Sequence, residues 1–437
     1  MKHLLALILA VATANAAELS WPPSAADAKP AAASLLLQPT DTLRAGIAIA
    51  KTPPRVTFHY YDCQTYKPEP GVWSAWGDGL AIGDKYYSAV GDHSSPGGNA
   101  FVYEYDPATR ELRQLLDLRS ILKQPAGIYT PGKIHSRLDL GNDGWLYFST
   151  HRGSTKIAFK PEARYRGDWI LRHHLASGKT EIVDHAPLPM QCLPASVTDP
   201  ERLIFYAGTA DGRNEAPPQF LAYDLRKRAV LFSHPAGPAR AMIHAQSTGQ
   251  LYFHDSKKGP KNLVRFDPAH PDRLTPTSAT VGLRAATMEL PNGKVYTADR
   301  DMLWEFDPQT ETARELGPTA VASKDYLTSI DADRRTGRYL YYIPGSHGGA
   351  ENDGSPLVQY DLRTNTRKAI CFLHPYLHRR YGYTAMGSYA LAVSPDGSRV
   401  YATWNGNRAG PDAKRKRLRF DTCAMTMIEI PAAERRP

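Results

Sequence analysis

Short runs of alternating apolar and polar residues, separated by Gly, Pro, Asn and Asp, fill the chain from about residue 56 onward, and this alternation is the period of half-buried strands. Gly144-Trp145-Leu146-Tyr147, Gly249-Gln250-Leu251-Tyr252 and Gly293-Lys294-Val295-Tyr296 each place a Leu/Val-Tyr pair straight after a tight turn, and Gly397 precedes Val400-Tyr401 in the same manner. The turns include Asn142-Asp143-Gly144, Pro291-Asn292-Gly293 and Pro395-Asp396-Gly397, whose residues tolerate the left-handed backbone that β-hairpins require. No long stretch carries the apolar periodicity of a helix.

A second mark follows downstream of these hairpins: Tyr105-Asp106, Leu175, Tyr223-Asp224, Phe266-Asp267, Phe306-Asp307, Tyr360-Asp361 and Phe420-Asp421, at intervals of 40 to 70 residues. One motif returning at such a period is the signature of a modular repeat. Each unit reads as strand, hairpin, strand, loop, a strand ending in the aromatic-Asp mark, and an outer strand. Seven such units predict an all-β fold, a seven-bladed β-propeller of four-stranded antiparallel blades over residues 56–437. A β-sandwich with insertions would not bring one motif back seven times.

Composition narrows this further. A chain of 437 residues with 33 Gly, 35 Pro and 24 Tyr is long enough for one sizeable all-β domain. Lys2 and His3, the apolar run Leu4 to Ala12 and the small-residue site Ala14-Asn15-Ala16 predict a signal peptide over 1–16, and with it a secreted or periplasmic protein. Residues 17–55 are rich in Pro and Ala and read as a linker or an arm on the propeller. No other segment could span a membrane, and nothing points to an assembly larger than a monomer.

The four cysteines, Cys63, Cys192, Cys371 and Cys423, permit three pairings in an oxidising compartment, and their spacing does not choose among them. Cys371, His374 and His378 form a C-x2-H-x3-H spacing between the sixth and seventh units, half of a structural metal site for zinc or calcium. The net charge is +9, partly from Lys414-Arg415-Lys416-Arg417 with Arg419, a run more often solvated than functional. An exported basic protein suits anionic partners, and acidic polysaccharide fits better than nucleic acid because no aromatic-interleaved basic patch is present.

The repeat locates a candidate site. Innermost strands line a propeller's channel, so positions equivalent across blades can be compared by counting back from the Leu/Val-Tyr pair. Eleven residues before Leu146, Leu251, Val295 and Val400 stand His135, Arg240, Arg284 and Tyr389. This polar ring marks either a binding face or a wet channel lining. A second set falls where the second strand meets its loop: His93, His151, His254 and His347. Histidine transfers protons near neutral pH, tyrosine does so beside cations, and arginine grips carboxylate bidentately. Together they match β-elimination on a uronic acid, with the carboxylate neutralised so that its neighbouring C5 proton becomes acidic. Paired carboxylates of a glycoside hydrolase do not stand out.

The segments Tyr129-Thr130-Pro131-Gly132-Lys133-Ile134-His135-Ser136 and Asp143-Gly144-Trp145-Leu146-Tyr147-Phe148-Ser149-Thr150-His151 resemble the seven-bladed propeller polysaccharide lyases that cut ulvan or rhamnose-glucuronate linkages. The resemblance implies a polysaccharide lyase in which two histidines of one blade, a tyrosine of the next and an arginine carry the elimination without a required cofactor. It maps the histidines onto His135 and His151, the tyrosine onto Tyr206 as base and acid, and the arginine onto Arg240, with Arg213 as a second candidate. His93, Arg213, Arg284 and Tyr389 are then expected to bind substrate. The shorter interval between the histidines and a blade lengthened around Tyr165 to Trp169 depart from that family and bear on which polysaccharide is cut. Three alternatives stay open: an oligogalacturonate-type lyase with a metal held by His135, His151, His254 and His347, a lactonase-like hydrolase, and a propeller that only binds glycan or protein.

Overall fold

Seven antiparallel sheets follow one another around a central channel in the computed structural model, which describes residues 33–61, 71–153, 160–213, 215–255, 261–408 and 420–435. The predicted signal peptide over 1–16, Cys63 and the basic run from Lys414 to Arg419 lie outside the described residues. From channel to rim, blade 1 is Leu80–Ile82, Lys85–Gly91, Ala100–Asp106 and Glu111–Asp117. Blade 2 has a broken inner strand, Lys133–Ile134 then Asp139–Leu140, followed by Trp145–His151, Trp169–His174 and Thr180–His185. Blades 3, 4 and 5 begin with inner strands Gln191–Asp199, Ile243–Ala245 and Ala285–Ala286, and blade 6 with Ile330–Ala332. Blade 7 consists of Thr384–Val393, Arg399–Asn407 and Thr422–Glu429, and its outermost strand is Arg55–Tyr60 from the other end of the chain.

The aromatic-Asp mark answers two local demands. Its ring sits directly across from the Leu/Val/Tyr of the preceding strand, as in Tyr86↔Tyr105, Leu251↔Phe266, Val295↔Phe306 and Leu340↔Tyr360, and packs between blades. Its carboxylate accepts the backbone N–H two residues on: Ala108 for Asp106, Arg226 for Asp224, Ala269 for Asp267, Gln309 for Asp307 and Arg363 for Asp361, all at 2.9 to 3.0 Å. This Asx turn starts the hairpin to the outer strand.

Two of the seven predicted marks are out of register. In blade 2 the residue across from Leu146 is His173, not Leu175, and the turn is closed by His174 Nδ1 with Ser177 Oγ at 2.8 Å. In blade 7 the residue across from Val400 is Ile428, whereas Phe420-Asp421 precedes the third strand. Blade 7 needs no Asx turn there, because its outer strand arrives from the N-terminal side.

The core is distributed as seven layers, one between each pair of neighbouring blades. Tyr147, Ile170, Phe205 and Tyr223 fill the layer between blades 2 and 3, for example, and Tyr252, Leu263, Val295 and Phe306 that between blades 4 and 5. The layer between blades 6 and 7 includes Phe58, which stacks on Tyr381 at 4.5 Å, while Tyr60 donates its hydroxyl to the Tyr381 carbonyl at 2.9 Å. Preceding that strand, Ser34–Leu37 buries Leu36 in the same layer, and Ala48–Ile49 adds parallel to the rim strand Thr366–Phe372 of blade 6. No helix among the described residues is long and apolar enough to cross a membrane.

Phe58 is 1% exposed and belongs to the strand that closes the ring. Phe58→Ala is expected to lower the unfolding free energy by about 3–5 kcal/mol, the usual cost of deleting a buried ring, read as a shift in the denaturant midpoint; an unchanged midpoint would show that closure does not limit stability.

Candidate functional site

The innermost strands and the loops above them bring four of the predicted ring residues to one mouth of the channel. His135 follows the short strand Lys133–Ile134, Arg240 stands three residues before the inner strand of blade 4, Arg284 immediately precedes that of blade 5, and Tyr389 lies at a bulge in Thr384–Val393. Arg240 is the hub. Its Nη1 sits against both ring nitrogens of His135, 2.6 Å from Nε2, its Nη2 donates to the Trp76 carbonyl at 2.7 Å, and its guanidinium stands 5.2 Å over the Tyr389 ring.

His151 ends the second strand of blade 2 and stacks on His135 with centroids 5.2 Å apart. Its strand end is tied down by the lengthened connection that follows: Thr150 and Tyr165 both donate to the buried Asp168, at 2.6 and 3.2 Å. Hydrogen-bond partners assign the tautomers of the pair. His135 Nδ1 donates to the Pro194 carbonyl at 2.8 Å, which leaves Nε2 with the lone pair; on His151 the Gly153 N–H reaches Nδ1 at 3.1 Å and Arg152 Nη1 lies 3.4 Å from Nε2, and the shorter contact is the one the ring accepts, which leaves its proton on Nε2. Burial, reinforced by Arg240 and Lys133, holds His135 well below the ordinary histidine range. Burial with Lys133 and Arg152 does the same for His151.

Other rings surround the mouth. Trp76 contacts Tyr389 at 4.5 Å, His347 at 5.9 Å and His93 at 6.3 Å, and Tyr326 meets His347 edge-on at 4.7 Å while accepting Arg284 Nε–H on its hydroxyl at 2.7 Å. Burial pushes His93 down to about 2 and His347 to about 4, with nearby cations adding to both. Below the mouth a narrow channel, open to solvent, passes Arg137, Ser196, Asp331 and Arg334.

The charge distribution is one-sided. Lys133, Arg152, Arg240 and Arg284 crowd the mouth, and none forms an ion pair with a carboxylate among the described residues. Asp78, facing the channel, offsets part of this charge, but burial raises its pKa and its Oδ1 has no hydrogen-bond partner. Trp76 Nε1, Arg284 Nη1 and Arg152 Nε are buried donors without acceptors. Such a set is incomplete without an anion that also accepts hydrogen bonds.

Several sequence-based expectations are corrected. Tyr206 is not at the mouth: it is 0% exposed, lies between Phe220 and Phe266 in the layer joining blades 3 and 4, and its hydroxyl has no partner. It sits on a second strand whose two faces both pack against neighbouring blades, so a phenol there does not reach the channel. Arg213 is exposed on the loop after the same strand, outside the ring. His254 contacts the Lys261 carbonyl of its own blade at 3.1 Å. Cys371 points into the layer between blades 6 and 7 while His374 and His378 occupy the following helix, Leu373–Tyr381, and no three metal-ligating side chains converge among the described residues. Cys192 and Cys371 are free, buried thiols, and Cys423 is buried as well.

Sequence reasoning passed over Lys133, Trp76, Arg152 and Tyr326. Lys133 was legible: it stands two residues before His135, and it is the cross-strand neighbour of His151. Trp76 and Tyr326 lie on connections that hold no repeat position, and Arg152 directly follows the repeat position His151.

No protein-family model matches the chain, and no curated protein matches it. Solved structures share its architecture. One of U3-55K has a TM-score of 0.49 at 10% identity, covering 86% of this chain and 98% of that one. Another, from a mitotic checkpoint complex, has a TM-score of 0.49 at 11% identity, covering 85% and 99%. An oligogalacturonate lyase in complex with manganese has a TM-score of 0.51 at 13% identity, covering 89% and 100%. This chain is a seven-bladed β-propeller. At such identities the similarity to solved structures extends to the fold alone.

Tyr206→Phe removes a buried hydroxyl that bonds to nothing, so it is expected to leave thermal stability unchanged or slightly raised and the mouth undisturbed; a large loss of ligand affinity would return Tyr206 to the site. The buried histidines set an acid limit. His135 and His151 are held neutral in the fold while the unfolded chain titrates near 6.5, so their contribution is present above pH 6.5 and is lost as pH falls below it, with His59, His93, His347 and His374 adding to the loss. Unfolding midpoints measured from pH 8 to 5 should slope gently above 6.5, where the depressed Lys133 amine makes the unfolded chain bind one proton more than the fold, and drop more steeply below it, the lower limb being shallower in a His135→Gln/His151→Gln variant.

Proposed function

We propose that the protein is a secreted or periplasmic lyase that cleaves a uronate-containing acidic polysaccharide by β-elimination. The observation that carries this reading is a channel mouth in which two stacked neutral histidines stand among cations that have no carboxylate partner. A uronate carboxylate supplies the missing anion, bidentately if it meets Arg240 and Arg284, and its oxygens are acceptors of the kind Trp76 Nε1 and Arg284 Nη1 lack.

Neutralising that carboxylate acidifies the C5 proton. A base then takes this proton, its bonding electrons become the C4–C5 double bond, the C4–O4 bond breaks, and O4 receives a proton. His135 Nε2, whose lone pair is released as Arg240 turns to the carboxylate, is the base in this scheme. His151, protonated on Nε2, and the Tyr326 hydroxyl are the donors available to O4, the role the sequence assigned to Tyr206. Trp76 and His93 offer ring faces to the sugar, while Tyr389, buried under Arg240 and Trp76, supports the arginine from beneath.

The metal-dependent alternative fits the residues less well. The neighbour named as an oligogalacturonate lyase is in complex with manganese, but here His135 and His151 are engaged by Pro194 and Gly153 and surrounded by positive charge, which opposes a divalent cation.

Incubation with ulvan, gum arabic, pectin, alginate and glycosaminoglycans, with and without chelator, tests the reading through the ultraviolet absorbance of an unsaturated uronate. A chelator-insensitive rise on one substrate is expected, reduced about 100-fold or more in His135→Ala and His151→Ala. No rise on any substrate, or near-wild-type turnover in both variants, would sink the assignment.

A further inference from the structure

Lys133 is the member of the mouth that the elimination scheme leaves unused, and its surroundings set it apart from the arginines beside it. Its side chain is buried, with Nζ 5.2 Å over the Trp76 ring. The groups that face it are His151 across the strand pair, His135 two residues along, His93 and His347 from the loops of blades 1 and 6, Arg152, Arg240 and the Cys192 thiol. Every ionised member of this set is a cation, and no described carboxylate pairs with the amine. An arginine in such a place stays charged because a guanidinium scarcely deprotonates, whereas an ammonium releases its proton when burial and like charge oppose it.

We propose that Lys133 takes up a proton when a carboxylate ligand enters the mouth, so that anion binding at this site is coupled to protonation of one side chain. In the unliganded site burial, Arg152 and Arg240 bring the amine down to about 7, so that it is largely neutral above that pH. An entering anion cancels the field of Arg240 and Arg284, the amine becomes the ammonium, and the charge of the ligand is met by one more cation. The histidines of the mouth lie on the other side of neutrality and exchange their protons in a lower pH window. The choice of a carboxylate rests on the uronate reading, but the coupling needs binding only and no turnover. A sulfate ester would present the same anionic oxygens, and the test separates the two sources.

Calorimetry of the full chain with free D-glucuronate, which has no O4-linked group to eliminate, decides this when run in two buffers of different ionisation enthalpy between pH 6 and 8.5. Inorganic sulfate forms the second arm. Wild type is expected to bind glucuronate with constant affinity below pH 7 and about tenfold weaker for each pH unit above it, with uptake approaching one proton. Lys133→Arg, which keeps the charge, should bind without uptake and without that pH dependence. Lys133→Met should bind weakly and also without uptake, circular dichroism confirming that both variants are folded. Binding by wild type without proton uptake, or uptake that persists in Lys133→Arg, overturns the proposal. Proton-linked binding of sulfate with no binding of glucuronate overturns its carboxylate form, and no binding of either at pH 6 overturns it entirely. Glucuronate binding with uptake but no unsaturated product from any polymer would sink the lyase reading alone, and product without uptake would do the reverse.

Discussion

The whole architecture depends on closing a ring. Each blade buries its two faces against its neighbours, so a gap at any one of the seven interfaces would expose two layers of aromatic and branched side chains. Closure is achieved by the strand Arg55–Tyr60, which pairs with Thr422–Glu429 and so fastens the two ends of the chain within one sheet. The consequence for function is rigidity. Residues at the channel ends of seven inner strands are fixed by seven packed layers, and they keep their spacing even where electrostatics pushes them apart.

That push is considerable. A buried charge left without its partner typically costs about 3–5 kcal/mol, and the mouth holds the buried Arg152 with the half-buried Arg240 and Arg284 beside it, none with a paired carboxylate among the described residues. A fully buried large apolar side chain contributes about 1.5–3 kcal/mol, so two or three offset one such charge. The layer between blades 4 and 5 alone holds ten buried apolar residues. The fold therefore sustains a site that is unfavourable by itself. Part of the strain is relieved inside the site, where guanidinium groups lie over the rings of Tyr389 and Tyr326, hydrogen-bond to histidine and tyrosine, and leave the histidines uncharged.

How far the sequence could be read follows from the same geometry. Blade number and the ring of His135, Arg240, Arg284 and Tyr389 were legible because the turn after each inner strand imposes local residue requirements and the path from it back to the mouth is equally long in these four blades, so that counting eleven positions back from Leu146 or Val295 reaches the channel. The aromatic-Asp mark was legible wherever an Asx turn leads into an outer strand of the same blade. It failed in blade 7, where the outer strand comes from elsewhere in the chain, and in blade 2, where His174 closes the turn. Tyr206 was misplaced because position along a strand does not reveal depth: on a second strand both faces are interior, and only the inner strands and the loops above them reach the mouth. Trp76 and Tyr326 come from connections whose paths no periodicity specifies. Cys371, His374 and His378 have the spacing of a ligand set, but a strand runs into a helix between the first and the others, sending the thiol into the core.

The electrostatic character of the mouth also resolves an apparent conflict in the elimination proposed for it. Cations that acidify the C5 proton would equally weaken any base placed among them, since the same field that stabilises a developing carbanion opposes protonation of an imidazole or an amine. In the empty site burial, reinforced by this field, keeps the histidines neutral and Lys133 largely neutral above pH 7, which is the form a base requires. When a carboxylate enters, its charge is spent against Arg240 and Arg284, the field at the neighbouring bases falls, and their affinity for a proton rises while the substrate is in place. Acidification of the substrate and recovery of the base thus come from one binding event. A site of paired arginines and carboxylates would lack this property, because its field would already be cancelled before the ligand arrived.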